Sequence, residues 1–251
     1  VLGIGGSATN DAGIGMASAL GYTFMDASGN ELQPIGENLI HLRTILPNHG
    51  RADNLHPRLS EVKVTLLCDV SNPLYGPDGA AFVYGPQKGA NETDIRSLDA
   101  GLRNFRRVVH KQLGISVDFP GAGAAGGLGA GARVFLHASV EKGVKHILEA
   151  VRFEEKLKAA DVVITGEGKI DAKSFSGKVV SEVVRRSTKS GKVVYALCGK
   201  SELSAEDIHR LGIKKLVSLV DKRTPADQAI KDAANLIGER IRELFSYQYP
   251  E

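Results

Sequence analysis

Val1-Leu2-Gly3-Ile4-Gly5-Gly6-Ser7-Ala8-Thr9-Asn10-Asp11 opens the chain, and its pattern sets the fold class. Val1 to Ile4 reads as the end of an apolar strand. Gly5 and Gly6 then let the backbone turn sharply and approach a ligand with no Cβ in the way. Ser7, Thr9, Asn10 and Asp11 are all N-cap types, and Ile14, Met16, Ala17 and Leu20 continue as a helix that Gly21 ends. A strand, a glycine turn and a helix start make an α/β unit. Such a turn can bind an anion, because free N–H groups and the helix dipole converge on it. The plainer alternative is a tight turn whose polar residues only cap. A dinucleotide fingerprint also fits, since Gly3-Ile4-Gly5-Gly6-Ser7-Ala8 matches G-x-G-x-x-A and Tyr22–Asp26 reads as a strand ending in an acid. Against it, a dinucleotide turn leads into a helix that buries apolar residues at once, and here four polar residues come first.

The 251 residues suffice for one large domain or two ordinary ones. With 42% apolar and 24% charged residues the composition is that of a soluble globular protein. A formal net charge of +3, spread without a basic stripe, argues against nucleic acid or a membrane surface as partner. Cys68 and Cys198 sit inside apolar strand patterns and read as buried free thiols, which points to a reducing, cytoplasmic setting. No apolar run approaches membrane-spanning length. The chain begins without Met and inside a strand, so a preceding N-terminal portion is expected.

Further along, Leu32–Arg58 reads as irregular, and Val62–Asp69 as a strong strand running into Val70-Ser71-Asn72-Pro73-Leu74-Tyr75-Gly76. An acid at the carboxyl end of a buried strand, before a Pro/Gly/Asn turn, lies where open α/β sheets place ligand contacts. Asp69 and Asn72 are therefore candidates, the alternative being turn closure through their own side chains. Gly85-Pro86-Gln87-Lys88-Gly89-Ala90 is a second polar loop whose Lys88 could reach a phosphate or carboxylate. From Asn91, with Asp94 as capping partner, Ile95, Leu98, Leu102, Phe105, Val109 and Leu113 recur at helical spacing.

Gly121–Ala132 is GAGAAGGLGAGA, with 11 of 12 positions Gly or Ala. Gly disfavours helix by roughly 1 kcal/mol relative to Ala, so such a stretch needs either very close backbone packing or a nest of N–H groups around an anion. Ser139 reads as the cap of a helix carrying Val140, Val144, Ile147 and Leu148. Beyond Ala160 the pattern becomes regular β/α alternation. Strands are expected at 161–165, 192–197 and 215–220, with helices near 178–190 and 205–211 and a final helix capped by Thr224. Gly166-Glu167-Gly168 and Cys198-Gly199-Lys200 are expected as the loops after the first two strands. Gly199-Lys200-Ser201 and Ser176-Gly177-Lys178 lack the first Gly of a Walker A motif, and no His/Cys cluster has metal-ligand spacing.

Four loops now stand in order: GIGGSATND (3–11), DVSNPLYG (69–76) with GPQKGA (85–90), GAGAAGGLGAG (121–131) and ITGEGKID (164–171). Together they resemble the bacterial-type glycerate kinases, which phosphorylate D-glycerate from ATP. The likeness runs from Val1 to the last helix. It departs from the family pattern at Ala12, where Gly is usual, and at Lys173, where Gln is usual. It also lacks the N-terminal segment that carries a Pro-Asp-Ser-Phe-Lys loop in the family.

The resemblance implies two α/β domains with the active site in the cleft between them. The first is a flavodoxin-like Gly-rich-loop domain, residues 1–158. The second is a doubly wound, parallel, Rossmann-like layer, residues 159–251, which the family's N-terminal segment would complete. It also implies ATP and Mg²⁺, with a product phosphorylated on O2. Asp69 is the first candidate for base or Mg²⁺ ligand and Asp171 the second, with Lys88 and Lys178 for the charge of glycerate or the γ-phosphate. Gly5, Gly6, Ser7, Thr9, Asn10, Asp11, Asn72, Gly126, Gly127, Gly166, Glu167 and Gly168 are the candidates for nucleotide contacts. The rivals are a dinucleotide-dependent oxidoreductase and a non-catalytic metabolite-binding remnant. Three apolar strands with an unpaired edge would invite association with another chain, so a homodimer is expected, and the chain alone is expected to be a poor kinase.

Overall fold

The structure is a computed structural model that describes residues 1–47, 59, 61–171 and 179–245. The chain divides into two compact units, Val1–Gly143 and Val144–Glu251.

In the first unit, β1 (Leu2–Gly3) leads through a long polar loop to α1 (Ile14–Ala19). β2 (Tyr22–Met25) pairs antiparallel with β3 (Thr44–Pro47), Phe24 opposite Ile45, so a strand stands inside the stretch expected to be irregular. β4 (Thr65–Leu67) lies between β1 and β5 (Ser139–Glu141) in a parallel sheet of order β1-β4-β5. Ser139 therefore begins a strand and caps no helix, and its N–H donates to the Val64 carbonyl. Three residues of strand are too few to show a period. α2 (Ala80–Tyr84) and a 3₁₀ turn at Pro86–Lys88 precede α3 (Glu92–Leu113), whose start carries the expected capping box between Asn91 and Asp94.

α4 (Ala124–Phe135) holds the Gly/Ala run, and it is buried. A Cβ at Gly131 would lie 2.1 Å from the Ala12 carbonyl oxygen, and one at Gly129 would lie 2.2 Å from that of Gly121. Close backbone packing is thus the use of this composition. At the C-terminal end of α4 the Phe135 ring meets Tyr22, Phe24 and Phe105 at centroid distances of 5.0, 5.9 and 6.1 Å. These rings and Leu39, Ile45 and Leu102 centre the core of this unit.

In the second unit, α5 (Gly143–Ala150) and α6 (Phe153–Lys158) lead to β6 (Val162–Ile170), α7 (Val179–Lys189), β7 (Val193–Ser201), α8 (Ala205–Arg210) and β8 (Lys215–Ser218). The strands are all parallel in the order β6-β7-β8. One sheet face buries Val163, Val194 and Ala196 against Val180, Val184 and Leu157; Tyr195 and Val217 meet Leu244 in a separate cluster. Clusters on both faces are what a doubly wound layer requires. The expected final helix is two, α9 (Ala226–Lys231) and α10 (Ala233–Phe245), separated at Asp232. Pro225, not Thr224, stands at the N-cap of α9, and the Thr224 N–H is held by the Asp221 carboxylate. The mixed α/β fold with parallel sheets is as expected. Among the described residues, no helix is long and apolar enough to cross a membrane.

Candidate active site

Because β1 and β4 are parallel neighbours, their carboxyl ends open on the same side, and the loops that follow them meet there. Gly5, Gly6 and Ser7 from the first loop, Cys68, Asp69 and Val70 from the second, and Tyr84, Gln87 and Lys88 line one pocket of about 290 Å³. No atom lies within 4 Å of where a Cβ would stand on Gly5 or Gly6, so the bare backbone faces open space. Gly6 has φ +67°, a conformation few other residues hold without strain.

Lys88 fixes the glycine loop. Its ammonium donates to Ser7 Oγ at 3.0 Å and to the Thr9 carbonyl at 2.6 Å. Burial pulls its pKa below the ordinary lysine value, and the Asp11 carboxylate partly opposes that shift. Asp69 Oδ1 accepts from the Gly143 N–H at 2.9 Å, and Oδ2 has no hydrogen-bond partner among the described residues. One carboxylate oxygen is thus spent on the N–H of Gly143, the last residue of the first unit, and the other is left without a hydrogen bond among the described residues. The Cys68 thiol beside it is buried, and desolvation pushes its pKa up, which favours the neutral thiol over the thiolate.

The geometry says less for a dinucleotide. β2 belongs to a separate antiparallel sheet rather than lying parallel beside β1. The Asp26 carboxylate that would hold a ribose is occupied by Ser28 N, Asn30 N and Asn30 Nδ2. Residues 1–248 match the glycerate kinase family. The chain belongs to that family.

Among its relatives are a glycerate kinase of Halalkalibacterium halodurans, 42% identical over 97% of this chain, and the glycerate 2-kinase of Escherichia coli K12, 39% identical over 97%. The chain spans 63% of the length of each. A crystal structure named for glycerate kinase 2 of Salmonella typhimurium LT2 superposes with a TM-score of 0.77 at 35% identity, covering 98% of this chain and 63% of that one.

Within this family member, several residues singled out in the sequence stand elsewhere than in the pocket. Asp11 spends both carboxylate oxygens on the Gly13 and Gly15 N–H groups, at 2.9 and 3.1 Å. The N-terminus of α1 is therefore already neutralised, and the glycine turn does not run directly into it. Asn72 closes its own turn, donating to the Asp78 carbonyl at 2.8 Å and accepting from the Tyr84 hydroxyl at 2.7 Å. Gly126 and Gly127 are buried; a Cβ on Gly126 would lie 2.0 Å from the Thr9 carbonyl oxygen. They pack the Gly/Ala run against loop 9–12.

Gly166, Glu167 and Gly168 lie inside β6, not in a loop after it. A Cβ at Gly199 on β7 would lie 2.5 Å from the Gly168 carbonyl oxygen, so these glycines permit close approach of two paired strands. Asp171 follows β6 and sits 3.4 Å from the Lys169 ammonium. Lys178 lies outside the described residues.

Tyr84 and Gln87 line the pocket without having been singled out. The signal for Tyr84 was its place directly before the GPQKGA loop, on a five-residue helix too short to show a period.

Proposed function

We propose that the protein is an ATP-dependent glycerate kinase, transferring the γ-phosphoryl group to the O2 hydroxyl of D-glycerate to give 2-phosphoglycerate. The observation that carries this is the convergence of a bare glycine turn, a lysine and a half-free carboxylate on one pocket at parallel strand ends. Phosphoryl transfer asks for little more than positioning, cations where charge develops, and a group to take the acceptor's proton. The N–H groups of Gly5 and Gly6 and the Ser7 hydroxyl cradle phosphate oxygens. Lys88 supplies the fixed cation, and Asp69 Oδ2 receives the proton of the attacking hydroxyl or holds the metal. The relative named glycerate 2-kinase supports O2 as the acceptor.

Among the described residues no group of three or more His, Cys, Asp or Glu side chains could hold a metal ion. Mg²⁺ needs no such cage, since it is commonly bound by one or two carboxylates together with substrate phosphates, and Asp69 offers one free oxygen. When bound there, the ion neutralises phosphate charge. Two buried free thiols, Cys68 and Cys198, support a reducing cytoplasmic setting.

Asp69→Asn tests the assignment. Turnover with ATP, Mg²⁺ and D-glycerate, followed as ADP release, is expected to fall ~10²-fold or more with the thermal unfolding curve unchanged. Near-normal turnover would confine Asp69 to holding the start of α5. Phosphorus NMR of the product distinguishes O2 from O3. Tight NAD(H) binding without any effect of ATP would overturn the kinase reading.

A further inference from the structure

A second and larger pocket, of about 630 Å³, lies in the same unit, and among the candidate catalytic residues Lys88 alone lines both. We propose that this pocket holds the nucleoside of ATP, base and ribose, and that the smaller one takes the phosphates and the acceptor. The inference rests on the kinase reading and divides its site in two.

Size and charge point the same way. A three-carbon acid would leave most of 630 Å³ empty, whereas an adenosine is of the scale that such pockets enclose. Ile35 and Leu98 give apolar wall on which a base can lie, and Glu37 and Asp94 bring negative charge to the rim. The Glu37 carboxylate and the Asp94 oxygen not taken by the Asn91 N–H disfavour glycerate or a phosphate there but accept hydrogen bonds from ribose hydroxyls. Glu37 is exposed and has no ion-pair partner among the described residues.

Asn10 supplies the second observation. It lines this pocket, and both its amide oxygen and its amide nitrogen are buried without any hydrogen-bond partner. Buried amides are nearly always paired, so an orphan of both signs calls for an explanation. Gly36 packs against the same residue's main chain: a Cβ there would lie 2.3 Å from the Asn10 backbone carbonyl oxygen. The amide is closed to solvent where it stands, so it reaches a ligand only by turning toward the pocket, where it would present donor and acceptor side by side, the pair that the N6/N7 edge of adenine answers. Between the pockets, the Lys88 ammonium is held on Ser7 Oγ and the Thr9 carbonyl, where a polyphosphate passing from one to the other would meet it.

The test is calorimetric titration of the full chain with three probes: ADP with Mg²⁺, adenosine, and tripolyphosphate with Mg²⁺. Ser97→Trp fills the pocket from an exposed position on α3, and Asn10→Leu removes the orphan amide. The expected result is a loss of at least tenfold in affinity for ADP and for adenosine in Ser97→Trp, with tripolyphosphate unchanged. Asn10→Leu is expected to weaken adenosine and to leave tripolyphosphate alone, and it serves on its own if the tryptophan variant fails to fold. Unchanged ADP binding in the folded variants overturns the nucleoside assignment and leaves the kinase reading standing. A wild-type chain that binds none of the three probes overturns the kinase reading itself, and the assignment with it.

Discussion

The two units build the same kind of layer with opposite use of the backbone. In the second, β6 and β7 are nine residues each and stay paired from Val162 opposite Val193 to Ile170 opposite Ser201, with helices held off by valine and isoleucine side chains. In the parallel sheet of the first, strands of two or three residues suffice, because α4 brings its own backbone against loop 9–12 and the turn at 121. Where side chains set the spacing, their period shows the structure. Where backbones touch, glycine sets it, and the period falls silent.

The sharpest way to break this comparison is Gly131→Ala. The added Cβ would stand 2.1 Å from the Ala12 carbonyl oxygen and 3.1 Å from Gly13 Cα, backbone atoms that cannot swing aside. The expected loss is about 3 kcal/mol or more of first-unit stability, read from urea unfolding of wild type and variant side by side. A loss below ~1 kcal/mol would mean that α4 shifts freely and that backbone contact is not what holds this unit. On the proposed kinase function, the same variant is expected to weaken ATP binding before it unfolds, because Ala12 follows directly on the loop that carries Ser7 and Thr9.

In the second unit the corresponding probe is a side-chain network. Glu182 on α7 pairs with Arg185 at 2.6 Å and with Arg186 at 2.8 Å, and Arg186 also reaches Glu154 on α6. The Arg185 hydrogen bond, opposed by burial and helped by Arg186, holds the Glu182 carboxyl at about 2, against an ordinary 4.5. A depressed carboxyl pKa stabilises the fold above the unfolded value, and that contribution fades as pH falls through about 2. Glu182→Gln is therefore expected to cost about 1–2 kcal/mol at pH 7, with a gap to wild type that is flat above pH ~5 and closes below it. A gap that persists unchanged at pH 2 would assign the effect to packing of α7 and remove the ion pairs from the account.

The same contrast explains what the sequence discloses. The β/α alternation after Ala160 was legible because apolar runs and capped helices followed one another, and the strands expected at 161–165, 192–197 and 215–220 are β6, β7 and β8. The C-terminal ends of β6 and β7 were not legible, since Gly166, Gly168 and Gly199 read as turn residues while serving close strand pairing. β5 was hidden because Ser139 fits a cap as well as a strand edge, and β3 because it ends on Pro47. Within the candidate site, Gly5, Gly6, Ser7, Asp69 and Lys88 could be grouped because each sits at a strand end or in a polar glycine loop. Asp11 and Asn72 had the same composition around them, yet each side chain found a backbone partner within six residues and became a turn-maker. Short polar side chains answer the nearest N–H first, and no pattern of residue types records which one that is.

The smallest expected effect is the complement of the first. Gly238 lies within α10, and no atom lies within 4 Å of where its Cβ would stand. Its backbone is helical, so an alanine there meets no strain, restricts the unfolded chain and raises helix propensity. Gly238→Ala is expected to stabilise the second unit by roughly 0.5–1 kcal/mol, seen as a higher midpoint in urea with the slope unchanged. Gly131 and Gly238 are both glycines inside helices of one protein, but only Gly131 stands in a Gly/Ala run whose composition asks for close backbone packing. If both alanine variants lose stability, α10 too is held by backbone contact, and the difference between the units is one of sequence pattern alone. A gain at Gly238 beside a loss at Gly131 would tie the difference to the one physical quantity that separates them, the 2.1 Å between an absent Cβ and a carbonyl oxygen.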